Sequence, residues 1–180
     1  MDDAMLVRDA RARYYTDNGF SEAMYGDSWV RVKFGPFPIV FPNTPSRKAA
    51  LPMHDLHHVA TGYPTTPAGE AQIGAYEVAA GCGPHTAAWI LNSFGFAGGL
   101  VIAPRRTYRA FVRGRHARTL YRTGWRDDLL DMTVGKLRTH LLLDQPAPRA
   151  TWRDRAAFAA WLALFSVPAL AVIAIVVMAR

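Results

Sequence analysis

From Ala156 to Ala179 the chain carries no charged residue, and AAFAAWLALFSVPALAVIAIVVM, Ala156 to Met178, is made almost wholly of small and aliphatic residues with a few aromatics. A bilayer-spanning helix needs about 20 consecutive apolar residues, and a helix in a soluble core seldom runs apolar on every face for so long. One C-terminal transmembrane helix is therefore expected over residues 156–178. Pro168 falls mid-span, where it kinks a membrane helix without excluding it. Arg149, Arg153 and Arg155 precede the run and only Arg180 follows it. The positive-inside rule then places the globular part on the cytoplasmic side of a single-pass, tail-anchored protein. At the other end, MDDAMLVRDARARYY mixes acidic residues with arginines and lacks the apolar stretch of a secretory signal.

What precedes the run, in a chain of 180 residues, has room for one domain with a real core. It is expected over residues 1–144, with a linker over 145–155 that contains Pro146 and Pro148. All but one of the 21 basic residues lie ahead of the run, against 14 acidic ones. An anionic partner suits that balance. Cys82 is the only cysteine, which excludes a disulfide framework and a thiolate zinc cage within the chain. Any metal must be held by histidine and carboxylate.

The fold class expected is mostly α, a multi-helix domain with a short β-hairpin. Residues Asp3 to Asp17 show helical spacing, stopped at Asn18-Gly19. Trp29 to Phe34 alternates with period two and Phe37 to Phe41 follows as a second extended segment, with Pro36 and Pro38 restricting the pair to an edge. Ser46 to Gly62 reads as a helix, with Pro52 near its first turns or at its true start. Thr66-Pro67 caps the next, to about Ala80. A further helix covers about His85 to Phe94, after which FGFAGG marks a break or a close backbone contact. An arginine-rich helix follows Pro104 to about His116, and Trp125 to Leu143 gives one more. Ile73, Tyr76, Trp89, Ile90, Phe94 and Leu100 are expected in the core, some of them lining a lipid tunnel.

The chemistry is concentrated in HDLHHVATGYPTTPAGE, His54 to Glu70. His54 and His58, four apart, project from one helix face one turn apart, the spacing by which a helical histidine pair grips a metal. The tight connection from Gly62 to Thr66 brings Glu70 back toward them. Two imidazoles and a carboxylate suit zinc, iron or manganese and leave positions open for water or substrate. Asp55 can serve as a fourth ligand or hold a ligand's other ring nitrogen. His57 points off the His54/His58 axis, as a surface or supporting residue. A solvated helix face with the same residues is the competing reading.

The pattern His54-Asp55-x-x-His58, eleven residues, then Glu70 resembles the metal-binding signature of the coenzyme Q biosynthesis protein 4 family. The frame of His58, Gly62, Pro64, Thr65, Gly69 and Glu70 is similar to that family too, and the likeness extends more loosely from about Tyr14 to Tyr121. The resemblance implies a helical domain whose His54, Asp55, His58 and Glu70 hold a divalent metal, usually zinc with Fe2+ or Mn2+ as alternatives, beside an apolar tunnel for a polyprenyl tail. It also implies a part in ubiquinone synthesis, through lyase-type oxidative decarboxylation at C1 of a polyprenylated hydroxybenzoate. The partners implied are that lipid, the membrane, other quinone-biosynthesis proteins and a second copy in a homodimer. The C-terminal apolar run departs from the family's pattern.

Two other functions compete. One is a metal-stabilised prenyl-lipid scaffold without catalysis. The other is a metal-dependent hydrolase, for which His85, His116, His140 and Asp127, Asp128 and Asp131 are the further ligand candidates. Arg105, Arg106, Arg109 and Arg113 recur at helical spacing and form either a solvated face or one turned to anionic headgroups. Nucleic acid is not expected, since no aromatic-interleaved basic platform occurs. Cys82 reads as a small buried residue rather than a nucleophile.

Overall fold

The computed structural model describes the backbone of residues 1–21, 26–34 and 37–178, and the side chains of these except 31–34, 37–39, 41 and 166–178. The chain is mostly helical. Helix α1, Val7–Asn18, ends where Gly19 takes a left-handed conformation (φ 67°), which glycine adopts without a Cβ penalty. Strands β1, Trp29–Phe34, and β2, Phe37–Pro42, pair antiparallel from Trp29 opposite Pro42 to Phe34 opposite Phe37. Pro36 lies outside the described residues. With two strands every position is an edge, and the ladder tolerates Pro38.

Helix α2, Pro45–Thr61, begins one residue before the expected start, because Thr44 caps it by accepting from the Arg47 amide at 3.3 Å. Pro52 therefore sits inside the helix, not at its start. It removes one helical hydrogen bond, a cost of about 3 kcal/mol offset by burial of Met53, Leu56, Val59 and Ala60. Gly62 (φ 75°) closes the helix, and Thr66 caps α3, Pro67–Ala80.

Helix α4 runs unbroken over Thr86–Ile102, so FGFAGG is no break. Two of its glycines are points of close approach: a Cβ on Gly95 would stand 3.3 Å from the Glu70 carbonyl oxygen, and one on Gly99 2.6 Å from Ala71 Cβ. Gly74, on α3, faces the same seam, where a Cβ would come within 2.7 Å of the Asn92 carbonyl oxygen. Backbone cannot give way as a flexible side chain can. Gly74→Ala is expected to cost about 1–3 kcal/mol through overpacking, read as a lower denaturant midpoint with an unchanged slope.

Helix α5, Pro104–Arg115, leads to the short α6, Leu120–Thr123. The single helix expected over Trp125 to Leu143 is instead a 3-10 turn, Asp127–Leu130, followed by α7, Val134–His140. The N-terminal arm takes the backbone between them: Leu6 bridges Thr133 and the Val134 amide donates to the Met5 carbonyl at 2.8 Å. Thr133 then caps α7 afresh by accepting from the Lys136 amide.

Helix α8, Trp152–Met178, starts inside the expected linker, four residues before the expected span at Ala156. Thr151 and Asp154 cap it reciprocally, and the same carboxylate accepts from His116 Nε2 at 3.1 Å and Arg115 Nε at 3.3 Å. His116, with no partner visible in sequence, thus ties the end of α5 to the start of α8. Among the described residues no helix is long and apolar enough to cross a membrane. The side chains of the run expected to span, from Ser166 on, lie outside those described.

One apolar cluster joins α1, α2, α6 and α7 to Ile73 and Tyr76 of α3; a second gathers Ala75, Val78, Phe96, Ala110 and Phe111, with Phe158, Trp161 and Phe165 of α8 packed on it. Ile73 and Tyr76 are core residues, and Trp89 and Leu100 pack at its margin. Ile90 and Phe94 are not in the core: they are 52% and 74% exposed, on the face of α4 turned away from it.

Candidate metal centre

The last turns of α2 and the first turn of α3 meet across the Tyr63–Thr66 connection. Gly69 is what lets them approach, since a Cβ there would run into the Pro64 carbonyl. This brings His54, His58 and Glu70 together, each offering a ligand atom, with those atoms within 4.8 Å of one another. The His54 and His58 Nε2 atoms are 3.2 Å apart; Glu70 Oε1 is 3.5 Å from His58 Nε2, and Glu70 Oε2 3.8 Å from His54 Nε2. The side chain of His58 is buried and that of Glu70 is 44% exposed, so the group opens to solvent on the carboxylate side.

The other ring nitrogens decide what this arrangement can do. His58 Nδ1 donates to the Tyr63 carbonyl at 2.8 Å, and His54 Nδ1 donates to the Glu77 carboxylate at 3.0 and 3.1 Å. With both Nδ1 protons committed, the two Nε2 lone pairs converge on each other and on Glu70. That approach needs a cation between them. Two nitrogens about 2.0–2.1 Å from one tetrahedral ion stand about 3.3 Å apart, close to the separation here; a proton on His54 Nε2 satisfies the same contact.

Burial works against charge on His54, yet the Glu77 carboxylate and the hydrogen bonds with Glu70 and Glu77 outweigh it and hold this imidazole well above its ordinary value. Burial likewise opposes ionisation of Glu70, but its hydrogen bonds to His54 and His58 bring it down to about 2. Metal and proton therefore compete for one lone pair. Divalent-metal affinity is expected to rise by about tenfold per pH unit across the neutral range as one proton is displaced, measured by competition with a chromogenic chelator. A flat profile would mean that His54 carries no proton for the metal to displace.

Asp55 is not brought into this group. It is buried on the side of α2 that faces α1, where it accepts from the Tyr15 hydroxyl at 3.3 Å. His57 is neither exposed nor idle. It is fully buried, donates from Nδ1 to Glu77 Oε1 at 2.6 Å, and accepts from the Leu120 amide at Nε2, 2.8 Å away. Burial first of all holds it below its ordinary value, so it is a neutral ring spanning Glu77 and α6.

Glu77 is the residue that sequence reasoning missed. Fully buried on α3, it accepts from His54, His57, the Asn92 amide group and the Tyr121 hydroxyl. Burial pushes its carboxyl up, but the His54 charge and the hydrogen bonds from His54 and His57 bring it well below the carboxylate range. The available signal was spacing: Glu77 lies seven residues, two helical turns, after Glu70 and so shares its face. Cys82 sits behind this network, its thiol pushed up to about 12 by burial and by the Glu77 charge. It is not a nucleophile at neutral pH.

The aspartates considered for a hydrolase lie elsewhere: Asp128 pairs with Arg126, and Asp131 with Arg8, at exposed positions. Among the described residues, the only group of three or more candidate ligands is His54, His58 and Glu70. No family model, no curated protein and no solved structure matches the chain.

Proposed function

We propose that this is a metal-dependent protein of the coenzyme Q biosynthesis protein 4 type, acting at a membrane on a polyprenylated hydroxybenzoate or a related lipid by oxidative decarboxylation at C1, with dioxygen as the oxidant and carbon dioxide as the leaving group. The observation that carries the reading is the 3.2 Å approach of two Nε2 atoms beside a half-exposed carboxylate, within the sequence frame that resembles that family. His54, His58 and Glu70 would hold a divalent ion, zinc in the first instance. When bound, the ion supplies a Lewis acid for a substrate carboxylate or phenolate.

The chain's own residues account for the rest. Glu77 and the Tyr63 carbonyl aim the two rings. Tyr14 stacks on His58 with ring centres 5.6 Å apart, and burial, with Asp55 and Glu70 nearby, raises its phenol so that it stays protonated. It closes one side of the site with an aromatic wall. The apolar run of α8 is read as the anchor, with Arg149, Arg153, Arg155 and the 73% exposed Trp152 at its start suited to a headgroup layer on the cytoplasmic side.

A strain lacking the chain and supplied with His58→Ala or Glu70→Ala is expected to lose the quinone product and accumulate the carboxylated ring precursor, read by lipid mass spectrometry. Variants free of metal that restore normal quinone content would rule out catalysis at this site and leave the scaffold reading.

A further inference from the structure

Helix α4 has two faces of different fate. Ala88, Asn92, Phe96 and Gly99 are buried, with Asn92 bonded to Glu77 and Phe96 packed on Phe158 and Phe165 of α8. The opposite stripe, Ile90, Leu91, Phe94, Val101 and Ile102, is exposed, with Val101 at 83%. No charged residue interrupts it from Thr86 to Ile102. An uninterrupted apolar stripe of this kind marks an interaction surface.

Its surroundings say what covers it. Directly beyond Ile102, across the turn into α5, Arg105, Arg106 and Arg109 are all exposed. None of the three forms an ion pair among the described residues. An apolar stripe ending in unpaired arginines fits a bilayer surface, where acyl chains take the apolar residues and anionic headgroups take the guanidinium groups. Helix α4 also packs against the proposed anchor helix, through Phe96 on its buried face and through Trp89, which stacks on Trp161 with centres 6.3 Å apart.

We infer that the exposed face of α4 lies in an anionic membrane interface, with the α4–α5 turn at the headgroups. Asn92 then sets the Glu77 network on the other side of the same helix, so that one helix separates the lipid from the candidate metal centre. The inference rests on the proposed function only in placing the chain at a bilayer, and it requires no metal.

The test uses the full chain in phosphatidylcholine vesicles containing phosphatidylglycerol, with an environment-sensitive nitrobenzoxadiazole label on Phe94→Cys, Val101→Cys or, as a control on α1, Arg13→Cys. Cys82 is buried and stays unlabelled. Labels at positions 94 and 101 are expected to shift to the blue and to be quenched by lipids brominated on their acyl chains, while the label at 13 stays aqueous. Arg105→Glu with Arg106→Glu is expected to abolish the difference between vesicles with and without phosphatidylglycerol. If the chain floats with the vesicles while positions 94 and 101 stay aqueous, the α4 inference fails and the anchor stands. A blue shift without lipid, together with a dimer mass by light scattering, assigns the face to a second copy and also overturns it. A chain that does not float with vesicles overturns both the inference and the anchor.

Discussion

Glu77→Ala is expected to destabilise the protein by about 3–5 kcal/mol, the scale for removing one partner of a buried ion pair. The loss reaches beyond a single contact. His54 and His57 lose their Nδ1 acceptor, and Asn92 and Tyr121 lose theirs, all in a region without solvent access at Glu77. Each stranded donor costs about 1–3 kcal/mol, partly relieved because His54 and His57 can shed or move protons. Urea unfolding followed by circular dichroism reads the effect. Glu77→Gln separates packing from charge: it keeps the volume and one acceptor oxygen, so it should lose less stability while still freeing the His54 ring. A Glu77→Ala variant as stable as the parent would mean that the buried network does not hold the two central helices together.

Linkage gives the Glu77 contribution a pH signature. Because the folded carboxyl lies well below its unfolded value, the stabilisation is fully present above the ordinary carboxylate range and is lost only as pH falls below it. Acid unfolding of Glu77→Gln should accordingly be less steep than that of the parent at pH values below the ordinary carboxylate range.

The second large effect is on metal affinity. Removing His58 leaves His54 and Glu70 3.8 Å apart with no third donor from this group. Loss of an outer hydrogen-bond partner alone typically weakens a metal site by about 10–100-fold, so loss of a ligand should cost at least about 100-fold. His58→Ala and His54→Ala are each expected to show it in chelator competition. Asp55→Asn, by contrast, should leave affinity within a fewfold, because Asp55 faces Tyr15 and is not part of the group. That contrast separates the geometry from the sequence pattern, in which Asp55 stands beside the ligands on equal terms.

The parts of the fold readable from sequence were those set by local chemistry. Thr66-Pro67 and Gly62 mark helix ends through capping and backbone preference, and α2 and α3 end or begin there. Spacing alone joins His54 to His58, and a short connection joins both to Glu70. Tertiary competition decided the rest. The glycines of FGFAGG look like a break in one dimension, yet two of them, Gly95 and Gly99, lie where α3 and α4 meet. The helix expected after Trp125 is divided because a distant arm, Met5 and Leu6, takes its backbone hydrogen bonds. Glu77 was hidden for a related reason: its significance lies in partners from α2, α4 and α6, and no local pattern displays them. Ile90 and Phe94 were misplaced because hydrophobicity alone does not tell a protein core from an exposed apolar helix face.

The central claim is that His54, His58 and Glu70 hold a divalent metal. Elemental analysis of the purified full chain, after exposure to zinc and dialysis, tests it most directly when run beside His58→Ala that retains its circular dichroism spectrum. One tightly held ion per chain in the parent, and none in the variant, is the predicted result. A parent without stoichiometric metal after exposure to zinc, iron and manganese in turn, or a His58→Ala variant that retains its ion, would contradict it.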